Sequence, residues 1–193
     1  MAKGSKKEGG GIGELLAYAG DRKFLTYLGM ALSALSQLLS FGPYVCIWLV
    51  ARDLIAVAPN WSEACDIAMY GWWAVGFALV SIVIYFVGLM CTHLSAFRCA
   101  SNIRKATSEH LLKLPLGYFD THATGELRRI VDGCAASTET LLAHMLSDIA
   151  GATAMVAGLL VLLFALDWRL GAACLISVVV SLGAMAAMMG GKG

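Results

Sequence analysis

Cys91, His93 and Cys99 are the residues whose types first suggest chemistry, because thiolates and imidazoles hold zinc. The run supplies two sulfurs and one ring nitrogen but no fourth ligand at a regular interval, so these side chains read as structural. His110, His122 and His144 are spaced too irregularly to form a site. The six cysteines contain no C-x-x-C pair. Cys46 and Cys65 fall where both can lie near the outer membrane face and pair; otherwise all six read as small apolar packing residues. The closing Gly-Gly-Lys-Gly (190–193) lacks the Ser or Thr that follows the lysine of a phosphate-binding loop, and it ends an apolar helix where such a loop begins one after a strand. No nucleophile stands beside a base, and no carboxylates pair. The expectation is no catalytic residue, no metal and no cofactor held by this chain.

Polar residues inside apolar sequence are the next candidates. Ser33, Gln37 and Ser40 share one helical face at i, i+4 and i+7. In lipid such a face must turn toward protein or water. It either lines a translocation path or makes hydrogen bonds between helices.

The elements that position these residues follow from composition. The chain has 193 residues, 59% hydrophobic and 14% charged, which is more apolar surface than one water-soluble domain of that size can bury. Four stretches lack any Asp, Glu, Lys or Arg, and they predict membrane-crossing helices at about residues 24–51, 67–97, 149–166 and 170–191. Continuous apolar runs exclude the short alternating strands of a membrane barrel. The expected fold is all-α, a polytopic membrane helix bundle. With the amino terminus inside, twelve Lys and Arg lie on the inner side, against Arg52 and Arg169 outside. That asymmetry assigns the amino terminus and residues 98–148 to the cytoplasmic side; the expected location is a bacterial plasma membrane. The first apolar run is too long for a cleaved signal peptide. A net charge of +1 gives no reason to expect nucleic acid; the lipid bilayer is the first expected partner.

Residues 1–23 divide into a Gly- and Lys-rich tail and a stretch in which Ile12, Leu15, Leu16 and Ala19 recur at helical spacing. The second part is either an amphipathic elbow helix on the inner leaflet or a frayed linker. Pro43 predicts a kink near the outer end of the first crossing, and Pro59, Asn60 and Trp61 predict a turn at the outer interface. The second crossing has no breaker after Phe97 and should project as helix to Leu114, where Pro115 ends it. Leu116, Gly117, Tyr118, Phe119 and Asp120 then form a tip. A returning helix starts with Thr124 as N-cap, Gly125, and Glu126 in its first turn, where the helix dipole favours an anion. Gly133 is a weak point in that helix. Asp167, Trp168 and Arg169 link the last two crossings, with Trp168 at the interface. Small residues recur every four positions at Ala150, Ala154 and Gly158, and again at Gly183, Ala187 and Gly191, where they allow close helix packing.

The run Leu111 to Arg129, LLKLPLGYFDTHATGELRR, followed by a polar helix, an apolar run and LLFALDWRLG, resembles the transmembrane domain of exporter-type ABC transporters. Leu-Pro, two aromatics, Asp and Thr-Gly-Glu-Leu carry the resemblance, over nearly the whole chain. It implies that residues 24–193 are a partial transmembrane domain, with four of the family's six crossings, as a fragment, a truncated reading frame or one piece of a split protein. It also implies that the tip is a coupling helix, with Leu116, Tyr118, Phe119 and Asp120 seated on an ABC nucleotide-binding domain. ATP and Mg belong to that domain, and a second transmembrane domain completes a homo- or heterodimer. The aromatics then either anchor the partner or pack back on the hairpin. The function implied is ATP-driven export by alternating access; the alternatives are a non-transporting membrane anchor or assembly partner, or a non-functional remnant.

Overall fold

A computed structural model describes residues 11–58, 66–121 and 123–190, and every regular element among them is helical. The expected turn at Pro59, Asn60 and Trp61, the possible partner Cys65, His122, Lys192, Gly191 and the tail before residue 11 lie outside the described residues. So do the side chains of Ile12, Glu14 and Asp21. Four helical stretches are long and apolar enough to cross a membrane: Lys23–Ala56, Ile67–Leu111, Thr124–Leu166 and Trp168–Met188.

A short helix, α1 (Gly11–Ala19), precedes the first crossing, and Gly20, with φ of 58°, turns the chain between them. That backbone angle suits a residue without a Cβ. The apolar side of α1 meets protein: Leu16 and Ala19 are buried in one cluster with Ala96, Cys99, Leu142, Ala143 and Leu146. Cys99 donates its thiol proton to the Leu15 carbonyl at 3.2 Å, and the Asn102 amide donates to the Tyr18 carbonyl at 2.8 Å.

The first crossing is two helices, α2 (Lys23–Leu39) and α3 (Phe41–Ala56), meeting at Ser40. Pro43 has no N–H to give the Leu39 carbonyl and its ring crowds that group, so the helix restarts just before the proline. The interruption therefore falls at Ser40, three residues before the proline and nearer the middle of the crossing than expected. Pro43 itself sits in the first turn of α3, where its missing donor costs little.

The second crossing, α4 (Ile67–Leu111), is one helix of 45 residues, or roughly 68 Å at 1.5 Å per residue, more than twice the hydrocarbon thickness. It is central, packing against α1, α2, α3 and the returning helix. After the tip helix α5 (Gly117–Thr121), α6 (Thr124–Thr140) runs back through a π-helical turn at Leu141–Met145 into α7 (Leu146–Leu166). Asp167 alone separates α7 from α8 (Trp168–Gly190), a shorter link than the expected three residues. Its carboxylate accepts the Arg169 backbone N–H at 2.8 Å, capping α8.

Small and hydroxylated side chains form the interior. On α2 the buried positions are Thr26, Gly29, Ser33 and Ser36; on α4 they include Gly88, Thr92, Ser95, Ala96, Cys99 and Ala100. Large residues such as Ile82, Val83, Phe86, Val161, Ile176 and Val180 are exposed. This inverts a water-soluble core, because lipid gives no hydrophobic drive between helices and close backbone approach must supply the packing. Gly29 stands against Gly88 and Thr92, and Gly151 against Ser33 and Gln37. Of the expected small-residue stripes, Ala150 and Ala154 are half-buried, while Gly158 closes on Leu38 and Phe41. A Cβ added at Gly183 would meet no neighbouring atom within 4 Å, and Ala187 is exposed.

Candidate functional site

The projecting hairpin begins where α4 passes Phe97 and ends in five residues of helix. After Leu111 the chain tightens: the N–H groups of Lys113 and Leu114 reach back three residues, to the His110 and Leu111 carbonyls. Pro115 cannot continue the helix. Its carbonyl and that of Leu116 instead accept the N–H groups of Tyr118 and Phe119 at 3.0 and 2.9 Å, which starts α5.

The tip side chains divide by direction. Leu112 and Leu116 are each 86% exposed, and Asp120 is exposed. Tyr118 and Phe119 are half-buried and meet edge to face, with ring centroids 5.7 Å apart. Phe119 lines an open cavity of about 400 Å³ between α4 and α6, together with Leu111, Leu127 and Val131. Phe119 thus points into the hairpin, and the outermost apolar groups are the two leucines. Leu112 had no special signal in the sequence, because it reads there as one more residue of a helix that the structure ends at Leu111.

The returning helix starts one residue from the expected place. Ala123, in an extended conformation, holds the cap position, and its carbonyl accepts the Glu126 and Leu127 N–H groups at 3.0 and 3.2 Å. Thr124 is the first helical residue and makes no cap hydrogen bond, which corrects its assignment as N-cap. Gly125 follows, exposed, and Glu126 lies in the first turn. Across the hairpin, the Asp132 carboxylate lies 3.4 Å from Arg104 on α4 and 3.6 Å from Arg128 one turn back on α6. These ion pairs are partly exposed and contribute little each, but the first ties the two arms together.

Ser33, Gln37 and Ser40 lie in or beside the seam with α7. Ser33 donates to the Ser147 carbonyl at 3.0 Å, Gln37 lies beside Gly151, and Ser40 bonds back to the Gln37 carbonyl at 2.6 Å. The seams that α4 makes with α2 and with the π-helical turn hold polar groups that the i, i+4, i+7 pattern did not select. Thr26 and Ser95 share a hydrogen bond of 2.7 Å, and Thr92 donates to the Ala143 carbonyl at 3.0 Å.

His93 and His144, which are 51 residues apart in the chain, come together with ring centroids 4.8 Å apart and planes at 82°. Cys91 is half-buried, and Cys99 is buried against α1. Among the described residues no group of three or more His, Cys, Asp or Glu is placed to hold a metal ion.

A bundle of apolar crossings with a hydroxylated interior and a long two-helix arm defines a polytopic helical membrane protein. Residues 25–190 match the family described as ABC transporter transmembrane region, and the chain belongs to that family. It is therefore an integral membrane transport component. Relatives include the mycobactin import ATP-binding/permease protein IrtA of Mycobacterium tuberculosis, 28% identical over 142 residues, or 74% of this chain and 16% of the relative. The protein of that name from Mycolicibacterium smegmatis is 26% identical over 162 residues, covering 81% and 18%. That from Mycolicibacterium thermoresistibile is 28% identical over 157 residues, covering 81% and 17%. The chain spans less than a fifth of the length of these relatives.

Proposed function

We propose that this chain supplies crossings to an ATP-driven transporter that works by alternating access, and that its tip couples those crossings to an ABC nucleotide-binding domain. The observation that carries the proposal is the exposed tip on a continuous helical arm. An apolar group standing in water at the end of two stiff helices is suited to burial in a partner's pocket, as interface anchors are. On this reading Leu116 and Tyr118 face the partner with Asp120 beside them, while Phe119 fixes α5 to the hairpin. The part of the chain from residue 24 is then the transmembrane domain, residues 1–23 a tail with an elbow helix, and the amino terminus and residues 98–148 are cytoplasmic. ATP and Mg act in the nucleotide-binding domain, and a second transmembrane domain pairs with this one.

Direction has two sources of support that differ. The tip and the length of the arms resemble exporters, whereas the relatives carry import in their names. Export is the reading taken from the architecture; import is the second reading, taken from those names. ATP-dependent substrate movement in inside-out vesicles decides between them: accumulation in the lumen means export, and loss from preloaded vesicles means import.

The coupling role is tested in the assembled transporter with the double variant L116A/Y118A. Two anchors at about 2 kcal/mol each are enough to dissociate or uncouple the partner. ATP hydrolysis should continue without transport. Transport at the parental rate would remove the coupling proposal.

A further inference from the structure

His93 and His144 meet at a defined level of the molecule. Counting from Ile67, His93 lies about 39 Å along α4, near the inner end of the expected crossing at residues 67–97. His144 belongs to the π-helical turn Leu141–Met145, a conformation that is rare and frequently marks functional positions. The residues just before the two histidines are bonded to each other, since the buried Thr92 hydroxyl donates to the Ala143 carbonyl at 3.0 Å. That bond ties the two segments together one residue before each imidazole. His144 is exposed and His93 half-buried, so the pair is not sealed inside the bundle.

We infer that these two imidazoles form a binding site for a divalent transition-metal ion of the zinc class. Imidazole is the commonest protein ligand for such ions. With a metal–nitrogen bond of about 2.0–2.1 Å and about 1.1 Å from nitrogen to ring centre, two ligated imidazoles have centroids roughly 4.5 Å apart at a right angle and roughly 5.2 Å apart at a tetrahedral one. The observed 4.8 Å lies between these values, and planes at 82° keep the rings from stacking. Ligation requires the rings to aim a nitrogen each at one point, and the torsion that aims them is a soft one. Phe97, one turn beyond His93, has its ring centroid 5.7 Å from that imidazole and shields one side.

Among the described residues no further His, Cys, Asp or Glu completes the set. The ion keeps its remaining positions for water or for an oxygen or nitrogen donor on a ligand, so the site is open and exchangeable. An ion held there joins α4 to the start of α7 at the root of the projecting hairpin, which stiffens the joint that any movement of the tip must pass through.

The test uses the full chain in lipid nanodiscs and the metals alone. Zn2+ titrated by calorimetry should give saturable uptake of a single equivalent in the parent and in H110A, and loss of that uptake in both H144A and H93Q. Cu2+ added to the parent should show two imidazole nitrogens in its electron paramagnetic resonance spectrum, and one in H144A. His144 is exposed, so its alanine variant keeps the fold; unchanged helical circular dichroism verifies this for each variant. Uptake that persists in H144A, uptake lost in H110A, no saturable uptake by the parent, or a single-nitrogen Cu2+ spectrum in the parent would each overturn the inference.

Discussion

Ser33 and Ser147 are both shut away in the seam between α2 and α7, at 2% and 1% exposure, yet their hydroxyls differ in what they contact. The Ser33 hydroxyl bonds to the Ser147 carbonyl, while the Ser147 hydroxyl has no hydrogen-bond partner. An unpaired buried hydroxyl costs about 1 kcal/mol or more. S147A should thus leave stability unchanged or raise it by about 1 kcal/mol, whereas T92V, which deprives the Ala143 carbonyl of its donor, should lower it by about 1 kcal/mol. Thermal unfolding of the two variants in one detergent would reveal this opposite pair of shifts, and equal losses would refute the argument. That Ser33 lies in lipid-inaccessible polar surroundings was legible from its spacing with Gln37. Its partner was not, because that carbonyl comes from a residue 114 positions away, and only the fold brings the two together.

At the scale of helices, two glycines separate packing from propensity. A methyl group at Gly29 would collide with Thr92 and come within 2.7 Å of the Gly88 carbonyl, so G29A must push α2 from α4. Overpacking of this kind costs about 1–3 kcal/mol. Gly133, in the exposed part of α6, has open space around its missing Cβ, and G133A should gain about 1 kcal/mol from helix propensity alone. The same unfolding measurement, run on each variant, distinguishes them by sign. The weakness at Gly133 could be named beforehand because propensity is local. The close approach at Gly29 and Gly151 could not, since in an equally good stripe a Cβ at Gly183 would find open space and Ala187 is exposed. The interruption at Ser40 needed the same distinction: Pro43 announces a break, but the carbonyl it offends lies four residues earlier. The π-helical turn had no signal in the sequence, and the pairing of His93 with His144 was missed along with it.

For the whole molecule, the apolar runs made the four crossings and the all-α class legible, and LPLGYFD with TGEL made the family legible. The orientation of the bundle is checked by chemistry. Cys134 is exposed on the returning arm, whereas Cys46 and Cys99 are buried and Cys91 and Cys174 half-buried. A membrane-impermeant maleimide should modify Cys134 in inside-out vesicles and spare it in right-side-out ones. Labelling from the opposite side would reverse the proposed topology. What remained illegible at this scale is the direction each tip residue takes. Phe119 and Leu116 are similar in hydrophobicity, and only the turn after Pro115 sends one into the hairpin and leaves the other outside.

The continuity of α4 also determines how the protein senses its lipid. The charge-free run of α4, residues 67–97, is about 46 Å long and the helix continues beyond it, so a thicker or thinner membrane meets its inner end at a different residue. Hydrophobic mismatch exerts little force on it. At the other surface, α7 and α8 are joined by Asp167 alone, and this link cannot take up slack. Acyl-chain length should therefore shift the α7–α8 turn more than it shifts α4. Membrane thickness becomes a setting on one half of the bundle, measurable as a change in distance between spin labels on α4 and α8 across lipids of graded chain length.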